Sequence, residues 1–490
     1  MRKYLLHHFL PLLVACILWM PGLVSGQKIT PVTIQGKTTF NAGEEVRLIS
    51  YSDLVTLMPV TVASDKIGKD GSFKLSFKTN KILPVQLEVR TSRADFYVVP
   101  GWSYRFQVTM DPQLFQLFDP GEYGGFLQVR TDINDTLDLN YKINRFSAFL
   151  DRALSIYGHE ILYYHDYSRF DTLMNLVRSN FEVTYDPSNF YLSHIYYTVG
   201  SLEWLMLPKN TDSLYRRYFD NEYILYDNPA YMTLFRDFYT NYLYQSRYVS
   251  KAALNRYINE EPDYNSLFNE LGKDRFLVNE RLRELVLIMN LGIFYDHEEF
   301  DRNHVFSLLE YISRNTHFPE HITIAENTMH KIIRYKSGNS VPKLTLQDEK
   351  GSSFKLDGLK GKWVYLHFFN TKCTECIRDM LIIKELQEKY KDDITFVSVS
   401  VDLEFSQFRS FIREYEKNFD WPIVHFNESY DWLRDMGIVS LPDNILIDPS
   451  GNISQRFAPD PSRNLSRFLL QKFHKEEENS NPLFHNRSGN

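Results

Sequence analysis

Apolar positions recur every second residue in the first part of the chain. Phe73, Leu75 and Phe77 alternate with polar residues just after the turn signal Lys69-Asp70-Gly71, and Val85, Leu87 and Val89 alternate in the same way. Phe96-Tyr97-Val98-Val99 on one side and Tyr104, Phe106 and Val108 on the other flank Pro100-Gly101. A period of two places apolar side chains on one strand face, and Gly and Pro between such runs mark turns. The pattern predicts several short strands over residues 27–110, arranged as an antiparallel β-sandwich.

From residue 111 to 336 the period lengthens. Leu282, Leu285, Val286 and Met289 share one helix face, as do Met232, Phe235, Tyr239 and Tyr242 after the helix starter Asn228-Pro229. This region reads as mostly α-helical. The polar, breaker-rich Lys336-Ser-Gly-Asn-Ser-Val-Pro342 then marks a boundary, with a linker at 337–342. Beyond it strand and helix patterns alternate: strands at 362–369, 394–401, 423–426, 444–447 and 453–457, helices after residue 373 and over 405–419 and 462–473. Residues 343–474 thus read as an α/β layer covered by helices, followed by a polar tail at 475–490.

Composition narrows the function. A chain of 490 residues suggests about three domains. Hydrophobic residues at 43% and charged residues at 24% are a globular balance, and a net charge of −7 provides no basic field for nucleic acid. Three cysteines are too few for a disulfide-dense scaffold or a multi-cysteine zinc array. The 36 Phe and 32 Tyr are concentrated in the helical region, where their spacing reads as packing between helices rather than as an aromatic ligand groove. His317 and His321 are four apart, but Pro319 discourages one helix through both and no third ligand accompanies them, so no metal is expected.

The first residues read as an address. Met1-Arg2-Lys3 is a positive start, residues 4–24 are mostly apolar, and Val24-Ser25-Gly26 offers small residues for cleavage of a signal peptide spanning 1–26. Leu13-Val14-Ala15-Cys16 competes as a lipoprotein box, in which Cys16 would carry a membrane tether, although Ile17-Leu18-Trp19-Met20 stays apolar after the cysteine. Either way an extracytoplasmic protein is expected, in a compartment where disulfides can form.

The chemistry concentrates in Cys373-Thr374-Glu375-Cys376, where a strand meets a helix. Unpaired backbone N–H groups and the helix dipole favour a thiolate at the first cysteine. The second cysteine, one turn in, can close a disulfide. The spacing assigns Cys373 as nucleophile and Cys376 as resolving thiol.

Residues 341–474 resemble the thioredoxin-like superfamily in its TlpA/ResA-type envelope branch. The matching words are Val341-Pro342-Lys343-Leu344, Gly361-Lys362-Trp363-Val364, the Cys-x-x-Cys, Ser398-Val399-Ser400-Val401-Asp402 and Leu441-Pro442-Asp443 with Asp448-Pro449-Ser450-Gly451. The β region is similar to the domain that often precedes such modules. The resemblance implies a thioredoxin fold, a cis peptide at Pro442 that pairs with substrate backbone, reduction of disulfides in client proteins, an envelope thiol as electron donor, and no cofactor. The chain departs from the family at Lys372, where Trp is common; between the cysteines, where Thr374-Glu375 stands in place of the usual Gly-Pro and Glu375 is a candidate modulator of thiol ionisation; and at Asp443, where Thr is usual. His367 stands where the family often has a polar or acidic strand residue, and is a candidate proton shuttle for Cys376, with a hydrogen-bonded strand histidine as the alternative. Asp402 is a similar candidate at the end of a strand. Two other functions stay open: an envelope binding or assembly protein with a structural thioredoxin-like domain, and peroxide reduction. The second is disfavoured by Asn370, where peroxidatic sites of this fold place Thr.

Overall fold

The computed structural model describes residues 29–480, apart from 90–91, 111–124, 132–136, 207–210, 296, 335–337, 403, 416–418, 428–430 and 439. The expected signal peptide, with Cys16, lies outside the described residues, as does 481–490.

The first unit contains β1 (Thr30–Thr38), β2 (Glu45–Tyr51), β3 (Pro59–Lys66), β4 (Ser72–Thr79), β5 (Leu83–Val89), β6 (Ser92–Val98), β7 (Ser103–Met110) and β8 (Gly125–Thr131). They pair in the order β3-β2-β5-β6-β8-β7-β1-β4. The alternation is read out as burial: Val32, Ile34, Leu48, Leu75, Leu87 and Val108 form one apolar core. Two features differ from the expected antiparallel sandwich over 27–110. Strand β1 runs parallel to β7, and β6 parallel to β8, so the eight-stranded sheet is mixed. Strand β8 lies past residue 110 because it completes the ladder beside β7, with Val108 opposite Val129.

The helical unit contains α1 (Leu139–Tyr164), α2 (Tyr167–Asn180), α3 (Phe190–Met206), α4 (Thr211–Tyr218), α5 (Pro229–Tyr239), α6 (Tyr242–Gln245), α7 (Lys251–Asn255), α8 (Tyr264–Leu271), α9 (Glu280–Phe294), α10 (Arg302–Asn315) and α11 (Pro319–Arg334). Asn228 caps α5 by accepting the Tyr231 N–H, with Pro229 in the first turn. The aromatic residues are core: Tyr197, Tyr231, Phe235 and Tyr239 are buried, with Tyr197 and Tyr231 rings 4.8 Å apart. The β2–β3 loop docks here. Leu54 joins the helical core, Arg236 donates to the Leu54 carbonyl, and Asn327 donates to Asp53 at 2.8 Å.

His321 sits in the first turn of α11, and both its ring nitrogens have side-chain partners. Its Nδ1 faces Glu284 of α9 at 2.6 Å, and its Nε2 faces the Tyr226 hydroxyl at 2.7 Å. Glu284 also accepts from Tyr264 and Thr316. Burial opposes ionisation of Glu284, but the hydrogen bonds from His321, Thr316 and Tyr264 outweigh it and place its pKa below the ordinary 4.5. A depressed folded pKa contributes stability above the unfolded value, and that stability is lost as pH falls through the folded one. Glu284→Ala should therefore cost about 3 kcal/mol at pH 7, because buried donors lose their acceptor. The gap between variant and wild type in urea unfolding should narrow below pH 4.5.

The third unit contains β9 (Leu346–Gln347), β10 (Ser353–Phe354), β11 (Trp363–Phe369), α12 (Thr374–Tyr390), β12 (Ile394–Ser400), α13 (Phe405–Tyr415), β13 (Ile423–Phe426), α14 (Asp431–Asp435), β14 (Asp443–Ile447), β15 (Ile453–Gln455) and α15 (Ser466–Ser480). The sheet order is β10-β9-β13-β12-β11-β14-β15. Central β11 is parallel to β12 and antiparallel to β14, and is buried on both faces. The expected linker is docked: Gly338 donates to the Ile453 carbonyl at 2.8 Å, and Ile453 donates to Asn339 at 2.7 Å. Helix α15 runs on to Ser480, through the start of the expected tail. No helix among the described residues is long and apolar enough to cross a membrane.

Candidate active site

Strand β11 delivers the chain to a short loop, and the loop delivers Cys373 to the start of α12. The loop is clamped from β12. The Asp402 carboxylate accepts the Thr371 N–H at 3.1 Å and the Thr371 hydroxyl at 2.8 Å, and it also accepts from Ser400. Asp402 thus anchors the backbone before Cys373, a role its position alone had not specified. Asn370 accepts the Lys372 N–H at 2.9 Å, which turns the loop into the helix.

Cys373 is the N-cap of α12, and its Sγ accepts the Cys376 N–H at 3.1 Å. The sulfur therefore occupies the place where the helix presents donors without intrahelical partners and the positive end of its dipole. Cys373 and Cys376 are joined in a disulfide, with Cα atoms 5.2 Å apart. Cys376 is fully buried and Cys373 nearly so, at 2% exposure. Lys372 and Glu375 are exposed on either side. Glu375 adds to the negative field at Asp379 inside the helix.

The Leu441–Pro442 peptide is cis. Register places it by the cysteines: Asp443 of β14 lies opposite Phe368, so Pro442 falls at the end of β11 that leads into the loop. Asp443 is held by Arg456, which donates to both carboxylate oxygens at 2.7 and 3.0 Å and also to the Met436 carbonyl. Arg456 thereby ties together both flanks of the proline.

His367 is fully buried, and its Nδ1 lies 2.9 Å from Asn444 Oδ1, directly across the β11–β14 ladder. Burial lowers its pKa from the ordinary 6.5, against the opposing effects of Asn444, the Cys376 backbone and the charges of Asp443 and Asp460. Asp379 was not singled out from the sequence. It lies one turn beyond Cys376, is 2% exposed, and burial raises its pKa, partly offset by Ser462. The signal was an acidic residue at i+3 from Cys376 on the apolar face of Met380 and Ile383. Asn444, Asp460 and Arg456 were also missed, since they come from a distant hairpin. Among the described residues no group of three or more His, Cys, Asp or Glu side chains could hold a metal ion.

Residues 336–469 match the Redoxin family. Curated relatives include the thiol-disulfide oxidoreductase ResA of Bacillus cereus, 24% identical over 151 residues, which cover 31% of this chain and 86% of that protein. ResA of Halalkalibacterium halodurans is 30% identical over 119 residues, covering 24% of this chain and 66% of its own. Among solved structures, a putative thiol-disulfide oxidoreductase from Bacteroides vulgatus is 26% identical, with a TM-score of 0.26, covering 28% of this chain and 97% of that chain. The match is confined to the third unit, which is a thioredoxin-like domain with ResA-type relatives.

Proposed function

We propose that the chain is an extracytoplasmic thiol–disulfide oxidoreductase that reduces disulfides of client proteins through Cys373 and Cys376. One observation carries the reading: the cysteine pair spans the first turn of α12 with Cys373 Sγ at the N-cap, accepting the Cys376 N–H. In the reduced protein the Cys373 thiolate attacks a client disulfide. One client sulfur leaves as thiolate and a mixed disulfide forms. Cys376 then loses its proton and attacks Cys373, which releases the second client sulfur and closes the intramolecular disulfide. A thiol donor in the same compartment restores the dithiol. In this reading an extended client segment pairs with the backbone beside Pro442, and the cis Leu441–Pro442 peptide supports it. The extracytoplasmic placement is supported by the apolar stretch at 4–24.

The test is turbidimetric reduction of insulin by the full chain with dithiothreitol as donor. Turnover above the rate of dithiothreitol alone is expected. If the chain accelerates reduction of neither insulin nor any small disulfide, the reading fails.

A second reading is favoured by the 2% exposure of Cys373: an envelope binding or assembly protein in which the thioredoxin-like unit is structural. A Cys373–Cys376 bond that survives millimolar dithiothreitol in the native protein would support it against the first.

A further inference from the structure

Between the first unit and the helical unit lies a cavity of about 880 Å³, a volume within the range of small-molecule sites. Ile82 and Val99 line it from the first unit, and Leu225, Met232 and Ile324 from the helical unit. No described residue of the thioredoxin-like unit takes part in the lining.

Two charges in this wall are left unmatched by the protein. Arg281 is the second residue of α9, at the end where the helix dipole disfavours a cation. Its guanidinium lies over the Phe318 ring, 4.9 Å from the centroid, and has no ion-pair partner among the described residues. Glu320 is half-buried in the first turn of α11, and its Oε2 is buried with no hydrogen-bond partner among the described residues. Both residues line the cavity, and both act electrostatically on Tyr226, so they stand at the same end of it. The other charges of the lining are matched. Lys81 pairs with Asp227 at 2.5 Å, and the Asp53 carboxylate accepts from Val55, Thr56 and Asn327. The Tyr226 hydroxyl is engaged with His321 at 2.7 Å.

An unpaired guanidinium accommodates a carboxylate through two parallel hydrogen bonds. A carboxylate oxygen left without a donor calls for an N–H. One chemical group offers both side by side: the α-carboxylate of an amino acid, or of the last residue of a peptide, with an N–H on the same carbon. A bare phosphate or a simple fatty acid would match Arg281 and leave Glu320 both unsatisfied and repelling. The apolar part of the wall suits an apolar side chain on that residue. We infer that the cavity binds the carboxyl end of an apolar amino acid or peptide, with the carboxylate on Arg281 and the neighbouring N–H on Glu320. The inference goes beyond the exchange reading and does not depend on it, since the cysteines take no part.

The test is isothermal titration calorimetry of the oxidised full chain with N-acetyl-L-phenylalanine, which carries the carboxylate, the N–H and an apolar ring. Binding of one molecule per chain is expected. N-acetyl-L-phenylalaninamide lacks the carboxylate, and N-acetyl-N-methyl-L-phenylalanine lacks the N–H. Each should bind at least about 10-fold more weakly, the lower end of what a hydrogen bond to a charged group contributes. This comparison is made on the wild-type chain and does not depend on how a variant folds. Arg281→Met, checked for folding by circular dichroism, should lose the preference for the acid over the amide. L-phenylalanine and the tripeptide Gly-Gly-Phe separate the two sources of the same chemistry: tighter binding of the first assigns a free amino acid, and of the second a peptide end. The inference is overturned if the wild-type chain binds none of the acids at millimolar concentration. It is equally overturned if acid and amide bind alike, or if folded Arg281→Met keeps the preference. In each of these cases the exchange reading stands, because insulin reduction is measured separately.

Discussion

Replacing Cys373 with serine should bring insulin reduction by the full chain down to the rate of dithiothreitol alone. A serine hydroxyl at the N-cap still accepts the Cys376 N–H, so α12 keeps its cap and the fold should hold. What is lost is the sulfur. A hydroxyl is not ionised at neutral pH and cannot form the mixed disulfide on which exchange depends. Cys376 cannot take over, because it is fully buried one turn inside the helix. The expected result is therefore a folded, inactive protein, checked by circular dichroism beside the turbidity assay. Residual turnover near the wild-type level would place the reactive thiol elsewhere.

Arg456→Leu should destabilise the thioredoxin-like unit by about 3–5 kcal/mol, the cost of removing one partner from a buried pair. The Arg456 side chain is 2% exposed and that of Asp443 16%. Among the described residues the Asp443 carboxylate then keeps the Asn444 N–H at 2.6 Å, and the Met436 carbonyl loses a donor. Denaturant unfolding followed at the tryptophans of this unit, Trp363, Trp421 and Trp432, reads the effect. A double replacement, Arg456→Leu with Asp443→Leu, should recover much of the loss, since it removes the orphaned charge as well. Where Asp443 had been noted as a departure from the family's usual Thr, the structure explains what accommodates it.

Which parts of this were legible in the sequence follows from the range of the interactions. The Cys-x-x-Cys, its strand and its helix are local. The two cysteines, the end of the strand and the start of the helix fall within a few residues of one another, and spacing alone located them. The alternation at Phe73, Leu75 and Phe77 likewise predicted a strand that is present as β4. The partner of β1 is less accessible to such reasoning: β7 joins it in parallel across some seventy residues, a pairing that no local period encodes. Strand β8 was missed for the same reason, since it earns its place by closing the row between β6 and β7. His367 was visible as a polar residue in an apolar strand. Its surroundings were not, because Asn444 reaches it from the neighbouring strand β14, 77 residues later in the chain. The docked linker shows the same limit. Its polar, breaker-rich composition identified a boundary, but the hydrogen bonds to Ile453 depend on an edge strand more than a hundred residues later.

In the proposed exchange Cys373 attacks and Cys376 resolves. The most direct measurement is to mix the reduced Cys376→Ser chain with an insulin disulfide, quench with acid and map the covalent product by mass spectrometry. A mixed disulfide on Cys373 that accumulates because nothing releases it is the predicted result. No covalent product, or one that still forms when Cys373 is also replaced, would rule out Cys373 as the attacking thiol.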